Sequence, residues 1–250
     1  MQVKIISGTT DPINLLYISA RQCYSPGSIV DCFDELMLIS KNDKLKLINH
    51  VMSSGHLSVL EHASFTFAIK EISRACSHQL VRHRIASYSH QSQRYAGAGD
   101  EGVFTDRYVI PKTMYNPEIT CSGKYFATLE KIEECYKEMV KEIPKEDARF
   151  ILPNATKTNI IVTMNFRSLF HFFEERCCNC AQWEIRNMAN TMLQLCKEKE
   201  PELFANSGAK CLRLGYCNES IKRSCGRRPT RDLIYKKVGE NYVPLFIKKS

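Results

Sequence analysis

The sequence predicts an α/β fold of the α+β type: a central sheet flanked by long helices, not a Rossmann fold. Three observations predict it. Phe65, Phe67 and Ile69 alternate with Ser64, Thr66 and Ala68, the two-residue period of a half-buried strand. A second run, Thr156 to Met164, is rich in β-branched and apolar residues and reads as a central strand. The segments between and around them carry helical spacing, and no P-loop, HExxH or GxSxG occurs anywhere in the chain.

In order, Val3 to Ile6 reads as a short edge strand. Thr10 or Asp11 with Pro12 starts a helix, because proline at the first helical position gives up no needed hydrogen bond. Leu16, Ala20 and Cys23 share a face of that helix, and Ser25-Pro26-Gly27 ends it. A second helix covers Asp43 to Met52, with Gly55 as its stop. His56, Ser58, Glu61 and His62 then form a loop into the Phe65 strand. Ser73 caps a helix from Arg74 to about Arg82, on which Gln79 and Arg82 share a face. Loop or strand follows through Tyr95, a turn at Gly97 and Gly99, and a short strand from Tyr108 to Ile110.

Phe126, Leu129, Ile132 and Met139 space out a long surface helix from about Ser122 to Ile143. Pro144 opens a shorter one containing Arg149. On a helix from Phe166 to Arg176, Leu169, Phe172, Phe173 and Arg176 share one face, and Arg167 and His171 another. An arginine that ends a core-facing stripe is costly to bury unpaired, so Arg176 is expected to face an anionic group. The helix from Ala181 is a packing helix through Cys196.

With 44% hydrophobic and 25% charged residues, the composition is that of a soluble globular protein. No apolar run approaches the roughly 20 residues that cross a bilayer, and no signal peptide is evident, so the expected compartment is the cytoplasm. Twelve cysteines in a chain of this size and compartment read as reduced thiols. Cys177, Cys178 and Cys180, and then Cys211, Cys217 and Cys225, lack paired CxxC spacing, so structural zinc is a minority reading and no metal ligand is assigned. The net charge of +8 belongs to the tail: from Ser207 onward eleven Lys or Arg face three acids. We therefore separate residues 1–206 from a basic, Cys-containing extension, 207–250.

Chemistry concentrates in Arg82 to Arg94, RHRIASYSHQSQR, inside a stretch from Glu71 to Asp100 with no acid between them. Guanidinium forks and small hydroxyls hold phosphate by paired hydrogen bonds; the alternative is a solvated basic loop. Arg, His, Ser, Gln and Asn in three separated stretches suit phosphorylated aromatic ligands, since cations hold phosphate and amides read a heterocycle's edge. No carboxylate pair or base-activated nucleophile points to hydrolysis.

Arg82, His83, Arg84, Ser87, Ser92 and Arg94 fit the pattern RHRxxSxxxxSxR at every specified position, and the chain thereby resembles the flavin-dependent thymidylate synthases. Gly55 to His62 (GHxSxxEH), Ala148 to Pro153 (ARxxLP) and Asn165 to Arg186 (NxRSLxxFxxxR…AQWEIR) resemble that family as well, across roughly residues 10 to 205. The resemblance implies a mainly antiparallel sheet and an enzyme that methylates dUMP to dTMP. Methylenetetrahydrofolate would give the carbon, and FAD recharged by NADPH the hydride, in a homotetramer with sites shared between subunits. It assigns FAD to His56, Ser58, Arg82, His83, Arg84, His90, Asn165, Arg167 and His171. It assigns dUMP to Gln79, Arg82, His90, Gln91, Ser92, Gln93, Arg94, Arg149 and Arg176, with Arg94 and Arg149 on the phosphate. Arg176 is the catalytic assignment, favouring the anionic form of uracil. His90 stands where the family often has an acid, His171 where an Asn occurs, and Cys180 where a His often precedes the AQ pair; Cys180 is dropped. No cysteine falls in the motif positions, so none is assigned as nucleophile, and Ser92 is read as a binding hydroxyl. The rival class is a nucleic-acid-binding protein using the basic, Cys-containing tail.

Overall fold

The computed structural model describes residues 1–95, 104–238 and 241–244. The expected turn at Gly97 and Gly99, and Glu240, Lys248 and Lys249 of the tail, lie outside the described residues. Four strands, β1 (Gln2–Gly8), β2 (Ser64–Ser73), β3 (Ser87–His90) and β4 (Lys157–Asn165), form a mainly antiparallel sheet in the order β1-β2-β4-β3. The two runs that announced themselves by alternation and β-branching are thus the inner strands, and Val3–Ile6 lies on an edge strand, as expected.

The chain forms two compact units, residues 1–3 with 68–162, and residues 4–67 with 163–250. In the first, β2 leads into α4 (Arg74–Leu80), whose Ser73 cap accepts from the Cys76 amide at 3.0 Å. This helix stops at Leu80, two residues short of the expected end, so Arg82 leaves a turn rather than sharing a helical face with Gln79. Beyond β3 come α5 (Ser122–Glu142) and α6 (Lys145–Ala148), the latter continuing as a 3-10 turn over Arg149–Ile151. Tyr108 makes only an isolated bridge to Thr156 in place of the expected strand. Ile69, Ile72, Leu80, Leu129, Tyr136, Ile160 and Val162 fill this core. Arg107 is buried beside them as an ion pair with Glu133, which Lys137 approaches at 3.3 Å.

The second unit starts with α1 (Pro12–Tyr24), whose cap Asp11 accepts from the Asn14 amide at 3.3 Å. It is followed by α2 (Ile29–Met37) and α3 (Lys41–Ser53). Helix α2 is absent from the sequence reading, although Ser28 caps it and Ile29, Phe33 and Leu36 recur at helical spacing. The buried Lys44 ammonium ties these helices together, donating to Asn14 Oδ1 at 2.5 Å and to the Met37 carbonyl at 2.9 Å. The expected loop at 57–62 is a 3-10 turn. After β4, α7 (Phe166–Arg176) has the expected bounds, and Asn165 caps it by accepting from the Ser168 amide at 2.8 Å. Then come α8 (Trp183–Lys199), α9 (Pro201–Phe204), α10 (Lys210–Leu214), α11 (Arg231–Ile234) and the antiparallel pair β5 (Tyr235–Val238) and β6 (Asn241–Pro244). Phe65, Phe166, Phe172, Phe173 and Phe204 make an aromatic core, with Phe204 5.0 Å from Phe166 and 4.9 Å from Phe170 between ring centroids.

Candidate functional site

In the first unit the signature stretch is held by a residue the sequence reading passed over. Along β3, Ser87 and Ser89 are exposed while Tyr88 and His90 turn inward, the alternation a strand imposes. The Tyr88 hydroxyl donates to the carbonyls of His83, at 2.7 Å, and Leu80, at 3.0 Å. It thereby fastens the Arg82-His83-Arg84 turn to the strand that follows. Burial pushes the Tyr88 phenol up to about 12, so it stays a donor at any physiological pH. Arg82 and Arg84 are exposed, with their forks available to an external acceptor.

His90 is committed inside this unit. Its ring lies 3.2 Å (Nδ1) and 3.0 Å (Nε2) from Arg74 Nη1, and Nε2 is 3.0 Å from the hydroxyl of buried Thr158. Accepting the Arg74 N–H at Nδ1 leaves Nε2–H to donate to Thr158, which satisfies a neutral imidazole. Burial, then the charges of Arg74 and His78, hold its pKa down to about 4. Arg74 is itself lowered by burial and then by the charge of Arg149, so these arginines are neighbours. His90 thus holds the Arg74 guanidinium in place.

The two expected phosphate partners come together on one residue. Arg94 pairs with the Glu146 carboxylate through Nε at 2.8 Å and Nη2 at 2.6 Å, while Arg149 Nε donates to the Glu146 carbonyl at 3.0 Å. The carboxylate shows what the Arg94 fork accepts, an oxyanion. Gln91 runs along β4: its amide donates to the Asn159 carbonyl at 2.9 Å, and its side-chain oxygen accepts from the Asn159 amide at 3.2 Å. Ser92 Oγ accepts from the Arg94 amide at 3.2 Å, shaping the turn that presents Arg94. Gln79 and Gln93 are half-buried.

In the second unit the remaining expected residues sit on the 3-10 turn and on α7. His56 lies edge-on to Tyr24 with centroids 6.4 Å apart, and Ser58 is exposed. Arg167 forms an ion pair with Glu61, joining the turn to the helix. Arg167 and His171 are exposed one turn apart on α7, as their spacing required. Asn165 spends its side-chain oxygen on the helix cap. Arg176 is half-buried in the last turn and lines a cavity of about 230 Å³ with Cys178, Cys211, Cys217 and Cys225. Glu174 at the same end of the helix holds Arg213 with both oxygens. The core thiols are inert: burial pushes Cys177 up to about 12 and raises Cys196 too.

Each unit presents arginine forks, amides and hydroxyls, the groups with which an enzyme binds phosphorylated heteroaromatic ligands. Residues 4–202 match the family described as thymidylate synthase complementing protein. The flavin-dependent thymidylate synthase of Nitratidesulfovibrio vulgaris is 45% identical over 241 residues, covering 92% of this chain and 96% of that one. That of Pyrococcus horikoshii is 43% identical, covering 88% and 90%. A crystal structure of the flavin-dependent thymidylate synthase ThyX from Helicobacter pylori, complexed with FAD and dUMP, superimposes with a TM-score of 0.67 at 23% identity, over 83% of this chain and all of that one. The chain belongs to the flavin-dependent thymidylate synthase family. A match over 92% of the chain also reaches into the tail, where the family model does not.

Proposed function

We propose that this chain converts dUMP to dTMP, taking the carbon from methylenetetrahydrofolate and the hydride from FAD that NADPH recharges. FAD supplies the hydride when bound; the residues of the chain bind, orient and polarise. Arg94 and Arg149 take the nucleotide phosphate, Arg94 releasing Glu146 to do so, and Arg74 adds charge beside Arg149. Gln79, Gln91 and Gln93 offer amides to the uracil edge, and Ser92 shapes the turn between them. Arg176 stabilises the anionic uracil that attacks, a role for a half-buried guanidinium that an exposed one would fill poorly.

The donor set fits a flavin dinucleotide. Its diphosphate needs forked cations, of the kind that exposed Arg82 and Arg84 offer in the first unit and Arg167 offers in the second, and its ring needs flat or amide-bearing neighbours such as His56, His171 and Asn165. Ser58 and His83 complete the proposed set. The observation that carries this reading is the Tyr88 tether, which fixes the Arg82–Arg84 turn to the following strand. Self-association into a homotetramer with shared sites is part of the proposal. It is supported by apolar side chains left bare, among them Val30 and Leu38 at 86% exposure and Phe150 at 82%. No helix among the described residues is long and apolar enough to cross a membrane, and we place the enzyme in the cytoplasm, with residues 207–250 appended to the catalytic portion. Nucleic acid is not proposed as a partner.

The purified protein should be yellow or turn yellow with FAD, and dUMP should perturb the flavin spectrum. A protein that takes up no FAD at micromolar concentrations overturns the reading.

A further inference from the structure

The segment after α9 presents a problem of stability. From Lys210 to Arg231 only Cys217 and Thr230 are buried, while Leu212, Ile221 and Leu233 just beyond it are exposed. A stretch of this length with no buried large apolar side chain has little hydrophobic reason to hold one conformation. It is nevertheless fastened at defined points to the end of α7. Arg213 grips Glu174, Lys210 Nζ is 3.8 Å from Glu175, and Arg227 donates to Asn179 Oδ1 at 3.2 Å. Exposed ion pairs are weak fasteners.

Four thiols line one cavity where these fasteners meet. Cys178, just past the end of α7, and Cys211, Cys217 and Cys225 line the same cavity, and the Cys211 sulfur lies within electrostatic reach of the other three. The fifth cavity thiol, Cys180, donates to the Arg223 carbonyl at 3.1 Å and shares a side-chain hydrogen bond with Cys178. Adjacent Cys177 points into the core, 4% exposed. Gly226 takes φ = 76°, a left-handed conformation that favours glycine, and the Arg227 amide donates to the Cys225 sulfur. Cys217 is fixed from both sides, its amide donating to the Pro229 carbonyl at 2.7 Å and its carbonyl accepting from the Arg231 amide at 3.1 Å.

We propose that Cys178, Cys211, Cys217 and Cys225 form a structural zinc site that holds the 210–231 segment on the C-terminal end of α7. Four thiolates suit a closed tetrahedral zinc site, with one ligand just past the end of α7, one on α10 and two from the segment beyond it. Binding involves no redox change: four Zn–S bonds form as four thiol protons pass to solvent. The net double negative charge of that centre meets Lys210, Arg223, Arg227 and Arg228, which line the same cavity. Among the described residues no three His, Cys, Asp or Glu side chains are already gathered to hold an ion. The site therefore closes by side-chain rotation as zinc binds, and metal binding is coupled to ordering of the segment. None of the four residues is assigned to FAD or dUMP; Arg176, assigned to the uracil, lines the same cavity.

The test is metal analysis of the full chain, purified under reducing conditions without chelator. Expected are about one zinc per chain and Cys211→Ser and Cys225→Ser variants that each lose most of it. Cys135→Ser, on α5, should keep the full amount. If the serine variants do not fold, cobalt exchanged into the wild-type chain should show the intense absorption of tetrahedral thiolate coordination. Removing zinc should make the four named thiols reactive towards a maleimide, located by peptide mapping. Less than about a tenth of a zinc per chain, with the four thiols reactive in the folded protein, overturns the proposal. So does a disulfide between any two of them in that protein.

Discussion

Tyr88→Phe removes one oxygen and leaves the ring, which makes it a clean probe of the turn proposed to bind flavin. The hydroxyl has one proton to share between the His83 and Leu80 carbonyls, at 2.7 and 3.0 Å. The loss is therefore nearer one strong bond than two. With a net value of about 0.5–1.5 kcal/mol per bond, plus part of the cost of leaving a half-buried carbonyl without a donor, it comes to about 1–2 kcal/mol. For a chain of this size that lowers the melting temperature by roughly 2–8 °C. The same tether sets the Arg82–Arg84 turn, so flavin affinity should drop by about tenfold, the equivalent of about 1.4 kcal/mol. Thermal melting and a flavin fluorescence titration on the same preparation measure both. A variant that melts lower yet binds FAD with unchanged affinity refutes the link between tether and turn. One that changes in neither refutes the hydrogen bonds themselves.

Three further outcomes follow from the geometry. Arg176→Ala should cut turnover by about 10²–10³-fold, as expected for removing a donor to developing negative charge, with little change in melting temperature; equal losses in both would make the arginine structural. His90 has a folded pKa of about 4 against 6.5 unfolded, so between those values the unfolded chain binds the extra proton. Stability from this residue is complete above about pH 6.5 and is lost as pH falls towards 4. Urea titrations of His90→Gln should show a flatter decline over that window than wild type, and parallel profiles would contradict the assignment. Glu133→Gln strands the buried Arg107 guanidinium and should cost about 3–5 kcal/mol in the same assay, whereas replacing both with apolar residues should recover much of it.

What the sequence made legible was whatever is written locally. Ser73 and Asp11 announce helix starts because a cap acts on amides two or three residues away. The bounds of α7 could be read from its aromatic stripe, and the inner strands from their alternation. Helix α2 was legible but overlooked: its cap and spacing are ordinary, and the non-helical Cys32 interrupts the pattern only in the middle. Partner choice is a different matter. That Tyr88 reaches back to His83, that His90 serves Arg74, and that Arg94 and Arg149 meet on Glu146 depend on tertiary placement that no periodicity encodes. The signature stretch supplied the candidate residues of the site. The structure added the scaffold that aims them.

The most direct measurement of the central claim is tritium release from dUMP labelled at C5 of uracil, because methylation there requires that hydrogen to leave. With FAD, NADPH and methylenetetrahydrofolate present, the purified chain should release tritium in step with dTMP formation, and Arg176→Ala should release far less. Flavin turnover that leaves the C5 label in place would contradict the account.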